Sequence, residues 1–227
     1  MRKLESRRQR HKLGLFACEG EDLVAAGLDA GLQPVEALVD AERPALQERL
    51  AQAESVAAEL MASLSTLPHP ARVIGVFRRA DLPVGVELPV GLALWRVSDP
   101  GNVGTLVRAA DALGPAFVLL SSGCADPTSP KALRASAGAA FRTPLGAFEA
   151  GEGAYRVALA PRDGVPLPDL ELPERVVFVL GAEREGLPAE VLGAADAVAT
   201  IPQTGAAESL NVATAGAIFL YALTRSS

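Results

Sequence analysis

Three polar loops carry the residue types that could perform chemistry in this chain. Each follows or ends an apolar segment: SDPGNVGTLVR at Ser98–Arg108, LGAEREGLP at Leu180–Pro188 and IPQTGAAESLNV at Ile201–Val212. Their glycines let a ligand approach the backbone closely, and their side chains supply carboxylate, amide, hydroxyl and guanidinium groups. In an open α/β sheet, ligands bind at the carboxyl ends of the strands, where such loops lie. The three loops therefore predict one shared site.

Several common chemistries are disfavoured by motif and spacing. The GNVG stretch at 101–104 does not have the G-x-G-x-x-G spacing of a dinucleotide-binding turn, and the sequence contains no P-loop Gly-Lys-Ser/Thr. Both histidines, His11 and His69, lie in the N-terminal part, which argues against a Ser-His-Asp hydrolase. Cys18 and Cys124 lie far apart without metal-ligand spacing, so we expect no metal site and a reducing compartment.

Strands and helices alternate regularly in the C-terminal part and would position these loops. Strands that are apolar throughout and alternate with helices indicate a parallel sheet covered on both faces. The predicted strands are Gly91–Arg96, Ala116–Leu120, Arg156–Ala160, Val176–Leu180 and Val198–Ile201, and the predicted helices are Asn102–Leu113, Pro130–Ala137, Pro188–Ala194 and Ser209–Ala222.

A smaller α/β unit precedes this sheet. Its apolar periodicity predicts the helices Glu21–Ala30, Leu46–Leu50 and Val56–Leu64 and the strands Val35–Val39 and Arg72–Phe77. A Pro- and Gly-containing stretch without helical period then separates the two units. The expected domains are 1–80 and 91–227, with 81–90 as the linker.

Composition places the 227-residue chain among globular proteins. Hydrophobic residues make up 49% and charged residues 21%, which excludes collagen, disorder and a disulfide scaffold. Apolar runs stay below the roughly 18 residues of a membrane helix. The N-terminus lacks the apolar stretch of a signal peptide, so we expect a cytoplasmic protein without membrane contact.

Positive charge is concentrated at the N-terminus. Met1–Leu13 holds six Lys or Arg and one Glu, a net charge of +5, which leaves −11 on the rest of a chain whose total is −6. A basic arm on an acidic body suits a polyanion that is touched locally, because basic side chains replace phosphate counterions. A solvated, frayed N-terminus is the alternative interpretation.

The three loop motifs, extended as SDPGNVGTLVRAADALG, LGAEREGLP and IPQTGAAESLNVATAGAIFLYAL, resemble in this order the motifs of the SpoU-type (TrmH-like) RNA 2′-O-ribose methyltransferases of the SPOUT superfamily. Ser129–Leu145 resembles the family as well. The resemblance implies an α/β parallel-sheet domain with a deep trefoil knot. The segment LESRRQRHKLGLFACEGEDLVAAGL resembles the start of the small α/β substrate-binding domain, similar to a ribosomal RNA-binding protein, that precedes it in many members.

The resemblance implies methyl transfer from S-adenosylmethionine to a ribose 2′-hydroxyl of RNA, with ribosomal RNA as the favoured substrate. The residues implied to bind the cofactor are Leu180, Gly181, Gly186, Ile201 and Leu210, and those implied to form the catalytic set are Asn102, Arg108, Glu183, Ser209 and Asn211. We assign Arg108 to clamping phosphate and stabilising negative charge, because a guanidinium is effectively never deprotonated. Glu183 either accepts a proton or ties down its loop. The alternatives are helix caps for Asn102 and Ser209 and a surface ion pair for Arg108.

The resemblance also implies a homodimer that uses the last helix, Ser209–Ala222, with burial in its own domain as the alternative. RNA contact is assigned to Met1–Leu13 and to Arg108, Arg134 and Arg142.

The sequence departs from the family pattern at two positions. Ala182 stands where an Asn commonly precedes the motif glutamate, and Gln203 stands where an apolar residue, often Met, follows Ile-Pro. These departures motivate the alternative of a non-catalytic RNA-binding protein on the same scaffold. A tRNA 2′-O-methyltransferase is a third reading, which the N-terminal domain disfavours.

Overall fold

The computed structural model describes residues 1–50, 52–151, 153–203 and 209–224. In these ranges the chain forms a four-stranded mixed sheet followed by a seven-stranded sheet that is parallel throughout. This confirms the α/β class and the parallel sheet. The trefoil knot stays a prediction from the resemblance.

The first sheet has the strand order β1-β4-β2-β3. Strand β1 runs antiparallel to β4, and the short edge strand β3 runs parallel to β2. The sequence had predicted a helix from Val56, but Val56 ends β3 and the helix begins at Ala58, because pairing with β2 holds this stretch extended. The elements are α1 (Arg7–Leu13), β1 (Leu15–Glu19), α2 (Glu21–Asp29), β2 (Glu36–Asp40), α3 (Pro44–Arg49), β3 (Glu54–Val56), α4 (Ala58–Leu64) and β4 (Val73–Arg78).

The second sheet has the order β7-β6-β5-β10-β8-β11-β9. All five residues of its central strand β10 are buried, which accounts for the uninterrupted VVFVL sequence. The short edge strands β7 and β9 were missed because they are too short to show periodicity. The elements are β5 (Val90–Leu94), α5 (Pro100–Leu113), β6 (Ala116–Leu120), α6 (Pro130–Ser136), β7 (Leu145–Ala147), β8 (Tyr155–Leu159), β9 (Val165–Pro166), β10 (Val176–Leu180), α7 (Ala189–Gly193), β11 (Ala197–Thr200) and α8 (Val212–Thr224).

Two glycines let helix α5 pack closely against its neighbours. A Cβ on Gly104 would lie 2.2 Å from the carbonyl oxygen of Ala132 in α6. A Cβ on Gly216 in α8 would lie 2.3 Å from Leu106 Cδ2 in α5. Helix α5 is therefore packed between α6 and α8. This packing fixes the position of the first polar loop, which leads into α5.

The two sheets share one hydrophobic core. Phe16 of β1 and Phe77 of β4 pack against each other and against Phe141, which precedes β7, with ring centroids 5.9 to 6.2 Å apart. In the predicted linker, the carbonyl oxygen of Pro83 accepts a hydrogen bond from the backbone N–H of Leu145 in β7 at 3.0 Å. The N-terminal unit is thus packed firmly against the parallel sheet. In the described ranges, no helix is long and apolar enough to cross a membrane.

The basic N-terminal segment is neither a free arm nor a frayed terminus. Residues 2–5 form a 3₁₀ helix that is followed by α1, and Arg10 is only 2% exposed. Arg10 Nε donates to Asp126 Oδ2 at 2.8 Å, and Arg7 Nη1 donates to the carbonyl oxygen of Cys124 at 2.9 Å. Arg2 Nη2 donates to the carbonyl oxygen of Ser63 at 2.7 Å. Arg2, Arg7 and Arg10, which were expected to contact RNA, thus bind other groups of the chain. Lys3, Arg8 and Lys12 remain exposed.

Candidate active site

The first two polar loops leave neighbouring parallel strands. Leu94 at the end of β5 is in register with Leu180 at the end of β10, so the following loops emerge side by side at the carboxyl edge. Asn102 Nδ2 donates to Glu183 Oε1 at 2.9 Å and thereby joins these two loops. Asn211 Nδ2 donates to Asn102 Oδ1 at 3.1 Å and connects the third. The structure thus brings Asn102, Glu183 and Asn211 together in one hydrogen-bonded chain.

Asp99, not Asn102, caps helix α5. Asp99 Oδ1 accepts hydrogen bonds from the backbone N–H groups of Gly101 at 2.6 Å and Asn102 at 3.1 Å. Its other oxygen binds Lys131 Nζ at 2.7 Å, and the hydrogen bond from Lys131 is the main cause that lowers the pKa of Asp99. The helix-cap alternative for Asn102 is therefore wrong. Because Asp99 caps the helix, the Asn102 amide is available to bind Glu183.

Asn211 caps α8 and at the same time orients the hydrogen-bonded chain. Its Oδ1 accepts from the backbone N–H groups of Ala213 at 2.8 Å and Thr214 at 3.3 Å. With the oxygen turned to the helix, the amide NH₂ is directed at Asn102. Helix α8 begins at Val212 rather than at Ser209, and Ser209 is exposed, so the cap alternative for Ser209 is wrong as well.

Glu183 accepts hydrogen bonds from both the side chain and the backbone of the first loop. Besides Asn102, the backbone N–H groups of Asp99 at 3.3 Å and Ser98 at 3.5 Å donate to its carboxylate. Partial burial opposes ionisation, but these hydrogen bonds outweigh it and hold the pKa of Glu183 below its ordinary value. A carboxylate with a lowered pKa is a weak proton acceptor at neutral pH. The geometry therefore favours Glu183 as the group that ties its loop to α5.

The arginines assigned to RNA contact differ in what they bind. Arg142 Nη2 lies 2.6 Å from Asp111 Oδ2, an ion pair that raises the pKa of Arg142. Arg108 and Arg134 are exposed. The side chain of Arg108 has no ion pair or hydrogen bond to any described residue, so the surface-ion-pair alternative does not describe it. Its guanidinium is available to a ligand.

A cavity of about 340 Å³ opens beside the hydrogen-bonded chain at the carboxyl edge of β8, β10 and β11. It is lined by all five residues expected to bind a cofactor, together with Glu183, Ser209 and Asn211; the five are Leu180, Gly181, Gly186, Ile201 and Leu210. Asn102 and Arg108 are not among its lining residues. Sequence reasoning missed Leu159, which ends β8, and Ala160 and Pro161, which follow it, although the carboxyl-end rule could have found them.

Gly181 is required by the shape of the second loop. A Cβ there would lie 2.3 Å from the carbonyl carbon of Gly186 and 2.5 Å from the backbone nitrogen of Leu187. The loop returns because Gly186 adopts a φ of +67° and its N–H donates to the carbonyl oxygen of Ala182 at 2.9 Å. This turn exposes backbone groups to the cavity. The described residues include no group of three or more His, Cys, Asp or Glu that could hold a metal ion.

Comparison with known proteins assigns the family. Residues 89–221 match the SpoU rRNA Methylase family, and residues 1–75 match the MRM3-like substrate binding domain. The first match contains all three polar loops. The chain belongs to the SpoU rRNA methylase family. In this SpoU methylase, the Asn211–Asn102–Glu183 chain joins the three family motifs at one sheet edge.

Relatives of this SpoU methylase align with nearly its whole length. The 23S rRNA (guanosine(2553)-2′-O)-methyltransferase RlmP of Bacillus subtilis is 31% identical over 98% of this chain and 93% of its own. A TrmH-family RNA methyltransferase structure from Porphyromonas gingivalis has a TM-score of 0.87 at 32% identity and covers 100% of this chain and 96% of its own. The AdoMet-bound rRNA methyltransferase of Sinorhizobium meliloti has a TM-score of 0.83 at 29% identity, with 99% and 92% covered.

Proposed function

We propose that this SpoU methylase transfers a methyl group from S-adenosylmethionine to a ribose 2′-hydroxyl of ribosomal RNA. The observation that carries the proposal is the convergence of the three family motifs, joined through Asn102, beside a cavity lined by Gly181, Ile201 and Leu210. RlmP, a 2′-O-methyltransferase of 23S rRNA, supports both the reaction and the class of RNA. The match of residues 1–75 to a substrate-binding domain supports a structured RNA as the partner.

The cavity fits the proposed cofactor. Its volume suits a small molecule, and its walls combine apolar side chains with backbone groups of the Gly181–Gly186 turn. When bound, S-adenosylmethionine supplies an electrophilic sulfonium methyl group. Glu183 and Asn211 would line the site of this ligand, and their positions are set by hydrogen bonds that exist before substrate arrives. Preorganised alignment of this kind lowers the barrier of an in-line displacement.

Arg108 is the group proposed to contact RNA at the reacting centre. In the proposed reaction the 2′-oxygen would form an O–CH₃ bond as the S–CH₃ bond breaks, S-adenosylhomocysteine would leave, and the hydroxyl proton would pass to solvent water. An exposed guanidinium clamps the neighbouring phosphate and stabilises negative charge as it develops on the oxygen. It does not take the proton, because a guanidinium is effectively never deprotonated in a protein. Asn102, Glu183 and Asn211 act as positioning residues.

The departure at Ala182 does not remove the support of Glu183. The amide that holds the Glu183 carboxylate comes from Asn102, at 2.9 Å, and two backbone N–H groups add to it. This weakens the case for a non-catalytic RNA-binding protein, which rested in part on a missing amide.

We also propose that the protein acts as a homodimer through α8. Part of the predicted interface is instead buried in the chain itself, namely Val212, Ala213 and Leu220. Ala217 and Ile218 are half-buried and Tyr221 is 52% exposed, and they form an apolar stripe at helical spacing. Light scattering should give twice the 23.4 kDa mass of the chain, and Tyr221→Glu should shift it towards the monomer. A wild type that is monomeric at all concentrations would refute the dimer.

Labelled methyl transfer to unmodified ribosomal and transfer RNA tests the proposed reaction. Methylation of a 2′-hydroxyl removes the nucleophile of alkaline hydrolysis, so the product should appear as a labelled, alkali-resistant dinucleotide from ribosomal RNA. Label that is released as single nucleotides would place the methyl group on a base and contradict the proposal. Label on transfer RNA alone would support the alternative substrate, and cofactor binding without label on either RNA would support the binding-protein reading.

A further inference from the structure

Gln203 buries a polar atom that is left unpaired by the described part of the chain. Its side-chain Oε1 is inaccessible to solvent and has no hydrogen-bond partner among the described residues. Gln203 also lines the cavity, three residues after the end of β11. A buried carbonyl oxygen loses its hydrogen bonds to water and is unfavourable unless a donor replaces them. A ligand in the cavity can supply such a donor once the Gln203 amide turns about its soft terminal torsion, because Oε1 as placed is not reached by solvent.

The family pattern does not account for this side chain. The motif has an apolar residue at this position, often Met, which cannot accept a hydrogen bond of comparable strength. Two further buried atoms without a partner occur in the described part of the chain, Gln47 Oε1 and Arg156 Nε, and neither residue lines the cavity. Gln203 thus places beside the cavity an acceptor that distinguishes this chain from the family pattern.

The surroundings of Gln203 select among the donors of the proposed cofactor. Leu180, Phe219 and Ile201 give the cavity an apolar interior, whereas the charged side chains at its lining, Glu183 and Arg184, are exposed. The cationic ammonium group of the cofactor would lose more hydration in the interior than one neutral amide can replace. A neutral amino group on a flat apolar ring is the donor that suits a buried neutral acceptor.

We propose that Gln203 Oε1 accepts a hydrogen bond from the exocyclic amino group of the cofactor's adenine. The inference rests on the proposed use of S-adenosylmethionine and adds a residue that selects the base. The hydrogen bond from adenine to Gln203 makes this chain more selective for adenine than a relative with Met at the same position.

Calorimetric titration with two ligands tests the contact without any turnover. The ligands are S-adenosylhomocysteine and its 6-deamino analogue, in which hydrogen replaces the amino group. Wild-type protein should bind the deamino analogue about tenfold more weakly, because the acceptor stays unpaired. Gln203→Met should bind both ligands within about twofold of each other. Its affinity for S-adenosylhomocysteine should fall about tenfold relative to the wild type.

Gln47→Met is the matched control, because it also removes a buried unpaired amide oxygen but does not line the cavity. It should discriminate between the ligands like the wild type. If Gln203→Met prefers S-adenosylhomocysteine to its deamino analogue as strongly as the wild type does, the inference about Gln203 is wrong. Equal affinity of the wild type for both ligands would also contradict it. Neither result would contradict the proposed cofactor. A wild type that binds neither ligand would overturn the proposed cofactor as well. If Gln203→Met does not fold, as judged by its thermal transition, Gln203→Leu takes its place with the same expectations.

Discussion

Asp126 binds Arg10 and Arg79 of the N-terminal part in a buried charge cluster, and its removal should greatly lower the free energy of unfolding. Arg10 Nε and Nη2 both lie 2.8 Å from Asp126 Oδ2, and Arg79 Nη1 lies 3.0 Å from Oδ1. Thr128 donates to the same carboxylate through its backbone N–H at 3.0 Å and its hydroxyl at 2.8 Å. Asp126→Asn keeps the shape but leaves Arg10 as a buried cation without its counterion.

The expected loss is about 3–5 kcal/mol of unfolding free energy at neutral pH, the range for breaking one partner of a buried ion pair. Burial opposes ionisation of Asp126, yet hydrogen bonds from Thr128 and the charge of Arg79 lower its pKa from 3.8 to about 2. Because the folded-state pKa lies below the unfolded value, this stabilisation of roughly 2 kcal/mol is present above pH 4 and is lost as the pH falls towards 2.

Urea unfolding followed by circular dichroism at neutral pH and in acid measures both effects. Asp126→Asn should lower the free energy of unfolding by several kcal/mol at neutral pH. In acid, the difference in this free energy between the wild type and the variant should shrink by roughly 2 kcal/mol. Asp111→Asn is the control, because Asp111 pairs with Arg142 at the surface and its loss should cost less than about 1 kcal/mol. Equal losses for the two variants, or a difference that does not change with pH, would refute the reasoning.

Three further predictions follow from the geometry of the site and its supports. Gly104→Ala should destabilise the protein by about 1–3 kcal/mol in thermal unfolding, because the new Cβ would lie 2.2 Å from a carbonyl oxygen of α6. Thr105→Ala, at an exposed position, is the control and should have little effect. Gly181→Ala should weaken S-adenosylhomocysteine binding at least about tenfold by calorimetry, because the second loop must open, and Gly193→Ala, with open space around its Cβ, should not. Since hydrogen bonds lower the pKa of Glu183, titration of this group should not change the rate of methyl transfer between about pH 6 and 9. Glu183→Gln should therefore reduce kcat by the same factor at every pH in this range. A pH dependence that is present in the wild type and disappears in the variant would make Glu183 the base.

The parallel sheet and the edge at which the three polar loops meet could be predicted from the sequence. Five of the strands of the second sheet are mostly apolar segments followed by turns, and ligand sites lie at the carboxyl ends of such strands. The side-chain roles could not be predicted, because the first motif contains two residues that are able to cap α5. Only the structure shows that Asp99 does so and that the Asn102 amide is left to bind Glu183.

Contacts across long sequence separations were beyond sequence reasoning for a physical reason. A run of Lys and Arg near a terminus predicts solvation, since an isolated charge is rarely buried. Arg10 is nevertheless buried because Asp126, 116 residues away, neutralises it. The periodicity of the sequence cannot indicate such an ion pair. The three-residue strands β3 and β7 could not be predicted either, because they are defined by pairing with neighbouring strands rather than by their own sequences.

The most direct test of the account is the methyl transfer rate of Arg108→Ala to ribosomal RNA, measured together with its affinity for S-adenosylhomocysteine. Arg108 is exposed and outside the cavity lining, so the variant should bind the ligand as the wild type does. Its rate of ribose 2′-O-methylation should fall by about a hundredfold or more, because a cation that stabilises the transition state is removed. A variant that methylates ribosomal RNA at the wild-type rate would contradict the proposed site.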